Sequence, residues 1–287
     1  MILNDELKIN TIYIISKGRP QCTTARTLTK MNYPGEWFIV CGNNDETIPQ
    51  YIENWGEDRV LIFDWYEEIK TTNTLDNFGF EIKGSGACPV RNATRRISAE
   101  RGENRHWQFD DDYSSFQRYD PAQKKNKRIT DGSVLFSSMY RIAELGYKTQ
   151  MENIGFAIAT FEGKSADRKK FAKRIFNAHN MINDPDKFVK WVGRMNDDTI
   201  NAINVWKSGG YEMQLKFVQM TMKETQAEKG GLTEMYKADG TVRKTAYLML
   251  VAPNASKLTL RFGRYHHKVD WTKIVPKLIR EEHKIKE

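Results

Sequence analysis

The sequence predicts an α/β fold with a mostly parallel central sheet flanked by helices. Apolar, β-branched runs typical of buried parallel strands alternate with segments of helical spacing over residues 11–63. The chain has 287 residues, which is enough for one large domain or for a domain with a smaller lobe. Three consecutive carboxylates directly follow a further predicted strand, and open α/β sheets bind their ligands at that position.

The first five predicted elements follow the order βαβαβ. Their ends are marked by turn residues such as Gly18-Arg19-Pro20 and Gly42-Asn43-Asn44-Asp45, and by Gly56 after the second helix. In chain order the elements are strand 11–15, helix 23–31, strand 36–41, helix 48–55 and strand 59–63.

The next predicted unit is a helix followed by the strand that carries the acidic triplet. The helix begins at Pro89-Val90-Arg91-Asn92-Ala93 and runs to about Arg101. Aromatic residues favour a strand over residues 106–109. Side chains alternate along an extended backbone, so Asp110 and Asp112 are expected to point to one side and Asp111 to the other.

The remaining elements are predicted from shorter patterns. Residues 117–132 are polar and basic and are interpreted as a loop, residues 163–187 as a basic excursion, and Gly230-Gly231-Leu232-Thr233 as a glycine-rich loop. The regular elements predicted here are helix 134–145, strand 154–160, strand 188–193, helix 199–207, strand 211–220, helix 245–251 and strand 258–262, which leads to His266-His267.

Composition limits the class of protein and its partners. The formal net charge of +8 raises the expectation of a polyanionic partner such as nucleic acid. One basic cluster is Lys124, Lys125, Lys127 and Arg128, and a second spans residues 164–174; a solvated surface is the alternative interpretation of each. The sequence has no apolar run long enough for a membrane span and no visible secretory signal, which predicts a cytoplasmic protein without a membrane partner. Three cysteines without metal-type spacing predict a reducing compartment and thiols that are either buried or incidental.

The acidic triplet predicts a divalent cation site. Adjacent carboxylates repel one another, and enclosing them costs desolvation energy that a bound cation offsets. Mg²⁺ and Mn²⁺ take oxygen ligands, and substrate phosphates commonly complete their coordination. A solvated acidic turn is the alternative, but the strand-like residues on both sides of Asp110-Asp111-Asp112 favour the metal site.

An ordered set of short motifs resembles one family of enzymes. The set comprises Ile14-Ile15-Ser16-Lys17-Gly18-Arg19, Arg91-Asn92, Trp107-Gln108-Phe109-Asp110-Asp111-Asp112, Arg194-Met195-Asn196-Asp197-Asp198-Thr199 and Gly230-Gly231. Over roughly residues 10–270 it resembles the GT-A-type glycosyltransferases of bacteriophages that are associated with TET/JBP oxygenases and with DNA hydroxymethylpyrimidine modification. Each motif is short, so the specificity of the resemblance lies in the order.

The resemblance implies a GT-A-like fold in a single domain, residues 1–287. The nucleotide-sugar-binding half would span about 8–116, and the acceptor-binding half with a C-terminal extension about 117–287. It further implies Mn²⁺ or Mg²⁺ as cofactor, a nucleotide sugar, expected to be UDP-linked, as donor, and, for a phage-encoded protein, the host cell cytoplasm.

The resemblance also assigns residues to the donor side. Asp110 and Asp112 are the expected metal ligands, together with His267 or its neighbour His266. Asp111 is expected to bind the sugar or to brace the loop. The remaining expected donor contacts are Ser16, Lys17, Arg19, Arg91 and Asn92. Turn formation and helix capping are the alternatives for these five residues.

On the acceptor side, the resemblance compares Asp197 and Asp198 with the acidic motif that supplies the general base of inverting GT-A enzymes. Asp198 is preferred, because relatives keep an acid directly before the position of Thr199, while many have Glu where this chain has Asp197. Helix capping by either Asp is the alternative. The implied acceptor is 5-hydroxymethylpyrimidine in double-stranded DNA, with 5-hydroxymethylcytosine expected. Both basic clusters would suit contact with the DNA backbone, and the residues of the first cluster are the expected DNA contacts. Two other functions remain open: a GT-A transferase with a small-molecule, protein or glycan acceptor, and a non-catalytic nucleic-acid-binding protein.

Overall fold

The computed structural model describes residues 7–76, 79–80, 86–120, 122–159, 175, 178–222, 233–261 and 263–275. The strands are β1 (Ile12–Ile15), β2 (Trp37–Gly42), β3 (Val60–Phe63), β4 (Arg105–Asp110), β5 (Tyr113–Asp120), β6 (Lys125–Ile129), β7 (Asn153–Ile158), β8 (His179–Ile182), β9 (Glu212–Met222), β10 (Ser256–Arg261) and β11 (Arg264–Val269). The α-helices are α1 (Thr23–Lys30), α2 (Ile48–Trp55), α3 (Trp65–Thr71), α4 (Cys88–Glu100), α5 (Gly132–Lys148), α6 (Asp197–Lys207) and α7 (Thr233–Val251). Short 3-10 turns cover Glu57–Arg59 and Trp271–Lys273.

Nine strands form one sheet in the order β3-β2-β1-β4-β8-β7-β9-β5-β6. Strands β3, β2, β1 and β4 are parallel to one another, as are β7 and β9. The neighbouring pairs that involve β8, β5 or β6 are antiparallel. The predicted α/β class with a central sheet flanked by helices is confirmed, and its mostly parallel character describes the N-terminal strands rather than the whole sheet.

Alternation along the central strands divides the core between the two faces of the sheet. Ile12 and Ile14 of β1 pack in a cluster with α1 and α5, whereas Tyr13 packs with the residues of α3 and α4 on the opposite face. All three cysteines are buried and free, as predicted. None of the helices in the described ranges combines the length and the apolar character that crossing a lipid bilayer requires.

Two predictions of local structure are wrong. Residues 117–132 are not a loop, because β5 continues to Asp120 and β6 pairs with it at the edge of the sheet. An edge strand with a solvated side needs few apolar residues, which explains its polar sequence. Residues 188–193 are not a strand. This irregular segment buries the Trp191 side chain beside α3 and α4, so its apolar character reflects packing rather than pairing.

Several other elements differ from the prediction in extent. Helix α3 and strand β8 were not predicted, and α7 begins at Thr233 rather than at residue 245. His266 and His267 do not follow the late strand but lie within a second strand, β11, which pairs with β10. The predicted glycine-rich loop at Gly230-Gly231-Leu232 and the second basic cluster lie outside the described residues.

Candidate active site

The acidic triplet lies where β1 and β4 end together. Asp110 is the last residue of β4 and pairs with Ile15, the last residue of β1. Thr24 at the start of α1 holds the turn that follows: its hydroxyl donates to the Asp110 carbonyl (2.6 Å) and accepts from the Tyr113 amide (2.9 Å). The amide of Thr24 donates to the Asp111 carbonyl (3.1 Å). The first helix therefore fixes the backbone that carries the three carboxylates.

Asp111 joins this turn to the loop after β1. Its carboxylate accepts a hydrogen bond from the Ser16 hydroxyl (2.5 Å) and one from the Arg19 guanidinium (2.8 Å). The Asp111 side chain is only 5% exposed, which makes these contacts part of the protein interior. These contacts fit the second role considered for Asp111, bracing of the loop, and sugar binding by Asp111 remains a prediction. Contacts of Ser16 and Arg19 with a donor remain predictions.

Two residues that sequence reasoning missed hold the same loop. The Tyr51 hydroxyl lies 2.6 Å from the Ser16 hydroxyl and accepts from the Arg19 amide (2.9 Å). Asp45 accepts from the Gly18 amide (2.8 Å). The signal for Asp45 was present, because it follows β2 at the same edge of the sheet as Ser16. Tyr51 carried no such signal, since a tyrosine in a short helix is usually a core residue.

Lys17 leaves this loop in another direction. Its ammonium group lies 4.8 Å from the centroid of the Trp65 ring, close enough for a cation–π contact. Partial burial lowers the pKa of Lys17, and the nearby Asp45 carboxylate opposes that shift. The predicted contact between Lys17 and a phosphate remains a prediction.

Arg91 connects three elements at the centre of the site. Its side chain is 3% exposed, and it donates to Asp110 (3.2 Å) and to Asp197 (3.1 Å). The guanidinium also stacks over Trp191 at 4.8 Å. Burial alone would lower the pKa of Arg91, but the two carboxylates more than reverse this, and its pKa lies above the ordinary value. Arg91 is therefore a permanent cation between the acidic turn and α6.

Asn92 contributes to the scaffold. Its amide oxygen accepts from the Trp191 amide (3.0 Å), and its amide nitrogen donates to the Trp191 carbonyl (3.0 Å). Because α4 begins at Cys88, Asn92 lies inside the helix and does not cap it, contrary to the alternative considered above. These bonds hold the irregular segment 188–193 against α4, and a donor contact for Asn92 remains a prediction.

The environment of Asp110 fits a cation. Burial raises the pKa of Asp110 to about 7; Arg91 opposes this shift, while Asp112, Asp111 and Asp197 add to it. Crowded carboxylates of this kind are stabilised in their ionised form by a divalent ion. Within the described ranges no three His, Cys, Asp or Glu side chains are grouped to hold a metal. An ion on Asp110 and Asp112 would thus rely on phosphate oxygens and water for its other ligands, as Mg²⁺ ordinarily does.

Asp197 and Asp198 are the first two residues of helix α6. Asp197 accepts a hydrogen bond from Arg91, which also donates to Asp110 of the triplet. The residue before them, Asn196, has a left-handed backbone with φ of 63°. A Cβ atom on Gly86 would lie 2.5 Å from the Arg194 carbonyl, so that glycine permits the close packing of this motif. Asp198 is half-buried beside Asp197. The structure links Asp197 to the acidic turn through Arg91, and Asp198 is the next residue of α6; the catalytic roles of both remain predictions.

His267 contacts Asn196, the residue that precedes the two acids of α6. The Asn196 amide nitrogen donates to the Lys244 carbonyl (2.9 Å) and lies 3.4 Å from Nδ1 of His267. An amide nitrogen can only donate, so this arrangement favours the imidazole tautomer with its proton on Nε2. Metal binding through Nε2 requires the other tautomer, and therefore a turn of the Asn196 amide. The carboxylates fit a metal directly, whereas His267 fits one only after this rearrangement.

The first basic cluster lies away from the triplet. Strand β5 begins at Tyr113 beside the site and runs antiparallel to β9. Its last residue, Asp120, therefore lies at the opposite end of these strands from the site. Asp120 lies seven residues after Tyr113 and pairs with Lys125. At the rise per residue of a β-strand, Lys124 and Lys125 are therefore about 23 Å from the site. Lys127 and Arg128 lie on the return strand β6, where Lys127 pairs with Asp120 (2.6 Å).

Comparisons with known proteins identify a family and similar folds. A family model described as TET-associated glycosyltransferase matches residues 10–231. Two structures of glucosyl-3-phosphoglycerate synthase from Mycobacterium tuberculosis are similar in fold at 7% identity, each covering 91% of this chain and 87% of the other. The structure with Mg²⁺ and uridine diphosphate has a TM-score of 0.50, and that with Mn²⁺, UDP-glucose and phosphoglyceric acid has a TM-score of 0.51. No curated protein has a sequence that matches the chain significantly.

Proposed function

This chain belongs to the TET-associated glycosyltransferase family, and from that premise we propose that it transfers a sugar from a UDP-linked donor to the hydroxyl group of a 5-hydroxymethylpyrimidine in double-stranded DNA. 5-Hydroxymethylcytosine is the expected acceptor. The reaction is proposed to depend on Mn²⁺ or Mg²⁺.

The observation that carries this proposal is the position and environment of Asp110. It ends β4 beside the loop after β1, and burial among other carboxylates raises its pKa to about 7. A divalent ion held by Asp110 and Asp112 would neutralise the charge that develops on the departing diphosphate. The Mycobacterium tuberculosis synthase of similar fold was solved with Mn²⁺ and UDP-glucose, which supports this assignment by analogy of fold.

Other residues of the site are proposed to orient the acidic turn and to bind the donor. Arg91 is proposed to orient the acidic turn and to face the donor phosphates from its buried position between Asp110 and Asp197. Ser16, Lys17 and Arg19 are proposed to line the nucleotide side, on the loop that Asp111, Tyr51 and Asp45 hold in place. Preorganised contacts of this kind need little reorganisation during reaction.

Asp198 is proposed as the general base. A general base must reach the acceptor hydroxyl within hydrogen-bond distance. Asp198 lies in the first turn of α6, directly after Asp197, which binds Arg91. Its carboxylate would take the hydroxyl proton while the oxygen attacks the sugar. The hydroxymethyl group of the acceptor lies in the major groove of duplex DNA, so the hydroxyl is accessible without removal of the base from the stack.

The test uses radiolabelled UDP-sugars and matched duplexes that carry cytosine, 5-hydroxymethylcytosine or 5-hydroxymethyluracil at one position. We expect label transfer to a hydroxymethylated duplex only, and its loss with EDTA and recovery with Mn²⁺. Transfer to small molecules, proteins or glycans but never to these duplexes would identify another acceptor class. Duplex binding without donor hydrolysis or transfer would indicate a non-catalytic binding protein.

A further inference from the structure

Strands β10 and β11 form a two-stranded ribbon outside the main sheet. One face carries the directly opposed pairs Ser256–Val269, Leu258–His267 and Leu260–Tyr265. At the base of this face Ser256 is buried and Val269 packs on the core formed by α6 and α7. Exposure increases along the face, to 41% for Leu258, 68% for Leu260 and 48% for Tyr265. The ribbon is thus anchored at its base and presents apolar side chains at its tip.

One contact links this apolar face to the residues of the candidate active site. Its middle pair includes His267, whose Nδ1 lies 3.4 Å from the Asn196 amide nitrogen. Asn196 directly precedes Asp197, which binds Arg91. A molecule in contact with Leu260 and Tyr265 therefore lies along the same face that leads to the proposed base.

The opposite face of the ribbon is suited to a polyanion. Lys257 and Lys268 are directly opposed there, and both are exposed. Like charges in opposed positions destabilise an isolated pair of strands, and a polyanionic partner removes that cost. The sequence from 256 to 269 contains four Lys or Arg residues and no acidic residue.

We propose that the β10–β11 ribbon enters the major groove beside the target pyrimidine, with Leu260 and Tyr265 contacting base edges and the positive charges of Lys257 and Lys268 strengthening the attraction to the polyanion. The proposal rests on the proposed function, since it identifies the element that reads the acceptor DNA. The major groove admits a two-stranded β-ribbon, and the hydroxymethyl group at pyrimidine C5 projects into that same groove. One docked geometry therefore brings the ribbon and the reacting hydroxyl together.

The ribbon variants are Leu260→Ser, Tyr265→Ala and the double variant. Leu250→Ser is the matched control, because Leu250 is 66% exposed but lies on α7 and not on the ribbon. Steady-state kinetics on the hydroxymethylated duplex, UDP-sugar hydrolysis without acceptor, and duplex affinity by fluorescence anisotropy are measured for each protein. We expect the double variant to raise KM for the duplex and Kd about tenfold or more, with donor hydrolysis and the Leu250→Ser values unchanged.

Dimethyl sulfate probing identifies the groove, because guanine N7 is exposed only in the major groove. We expect the wild-type protein to protect N7 of guanines next to the target and the double variant to lose that protection. Normal transfer and normal N7 protection in the double variant would overturn the ribbon proposal while the proposed function stands. Failure of the wild-type protein to bind the duplex would overturn both. A change from dimer to monomer in the variants, with duplex affinity unchanged, would show that the face joins two copies of the chain and would also overturn the proposal.

Discussion

Arg91, which is buried, and Asp197, which is partly exposed, form an ion pair of 3.1 Å although 106 positions separate them in the sequence. The pair ties the end of β4, which Arg91 also contacts, to the start of α6. The acidic turn that would hold a metal and the acids proposed to act on the acceptor are thereby linked through one cation. Changes at Arg91 should affect both halves of the reaction.

Arg91→Lys is expected to destabilise the fold and to reduce transfer. A single ammonium group cannot reproduce the two-directional contacts of a guanidinium, so one carboxylate is left without its partner. Breaking a buried pair of this kind costs about 3 kcal/mol. Urea unfolding measures the loss. Arg96→Lys on the same helix is the control, because Arg96 is 49% exposed and we expect a change below about 0.5 kcal/mol. Equal stability losses in both variants would contradict the bridging role.

Asp110→Asn and Asp112→Asn are each expected to lower metal-dependent transfer by about a thousandfold or more, since an amide is a poor ligand for a hard divalent ion. The fold should survive. For Asp110 in particular, burial already disfavours the charged form, so its neutral analogue should not weaken the protein. Asp58→Asn, an exposed acid in a 3-10 turn, is the control. Transfer assays with saturating Mn²⁺ provide the measurement, and wild-type rates in either site variant would remove the metal assignment.

The raised pKa of Asp110, about 7, predicts a pH dependence of metal binding. Below that pH the folded protein holds a proton on this carboxylate, and the ion must displace it. We therefore expect Mn²⁺ affinity to fall by up to about tenfold for each pH unit below 7 and to level off above 7. Calorimetric titration with Mn²⁺ in the presence of UDP between pH 5.5 and 8.5 measures this. An affinity independent of pH over that range would mean that Asp110 is not a ligand.

The raised pKa also sets the sign of its contribution to stability. The folded state binds the Asp110 proton more tightly than the unfolded chain, so this group makes folding less favourable as pH rises from about 4 to about 7, and the penalty is fully present above 7. Asp110→Asn removes the group. The variant should therefore gain stability relative to wild type over the same interval, as seen by urea unfolding at each pH. A gain that appears as pH falls would contradict the burial of this carboxylate.

Sequence periodicity was sufficient for the first four strands of the fold and for helices α1, α2 and α4, but not for α3. Each strand from β1 to β3 is a short apolar run bounded by turn residues, and β4 leads straight into the acids, so pattern and position agreed with the structure. Periodicity predicted the wrong element where a strand is not buried and where a buried segment is not a strand. Strand β6 is polar because it is an edge strand, and the segment around Trp191 is apolar although it pairs with none of the described strands. A single sequence does not distinguish these cases, because each depends on residues distant in the chain.

The same limit applies to the site. Residue type and strand position were enough to select the Asp110–Asp112 turn. They gave no indication that Asp111 faces inward to Ser16 and Arg19, because that depends on how α1 anchors the turn. Nor did they indicate that Asn92 clamps the backbone of Trp191, about a hundred positions away in the chain. Contacts of long sequence separation decide which polar residues serve the scaffold.

Asp198→Asn should reduce kcat, whereas Asp197→Asn should reduce the stability of the fold and donor binding as well. If Asp198 is the base, its replacement lowers kcat by about a hundredfold to ten-thousandfold and leaves donor binding unchanged. Asp197 pairs with buried Arg91, so its replacement should lower the unfolding midpoint and affect donor binding as well. Single-turnover kinetics, donor titration and thermal unfolding separate the two. Equal losses of donor affinity in both variants would argue against a base at Asp198.

The first basic cluster provides the last prediction, because its distance from the acids sets the length of DNA it can reach. Lys124 and Lys125 lie about 23 Å from the acidic turn by strand rise, which corresponds to about seven base pairs of B-DNA. Replacement of Lys124, Lys125, Lys127 and Arg128 by Gln should weaken binding of a 24-base-pair duplex with a central target and reduce its salt slope by about one for each lost phosphate contact. Half of a 10-base-pair duplex spans about 17 Å, which falls short of Lys124 and Lys125 but reaches Lys127 and Arg128, so this duplex should lose less affinity than the longer one. Lys127 is already paired with Asp120 and should contribute least.

The charge control combines Lys70→Gln on α3 with Lys148→Gln on α5, two lysines that are 64% and 68% exposed. An equal change in salt slope for the control, or an equal loss on the short duplex, would show that the DNA does not run along β6.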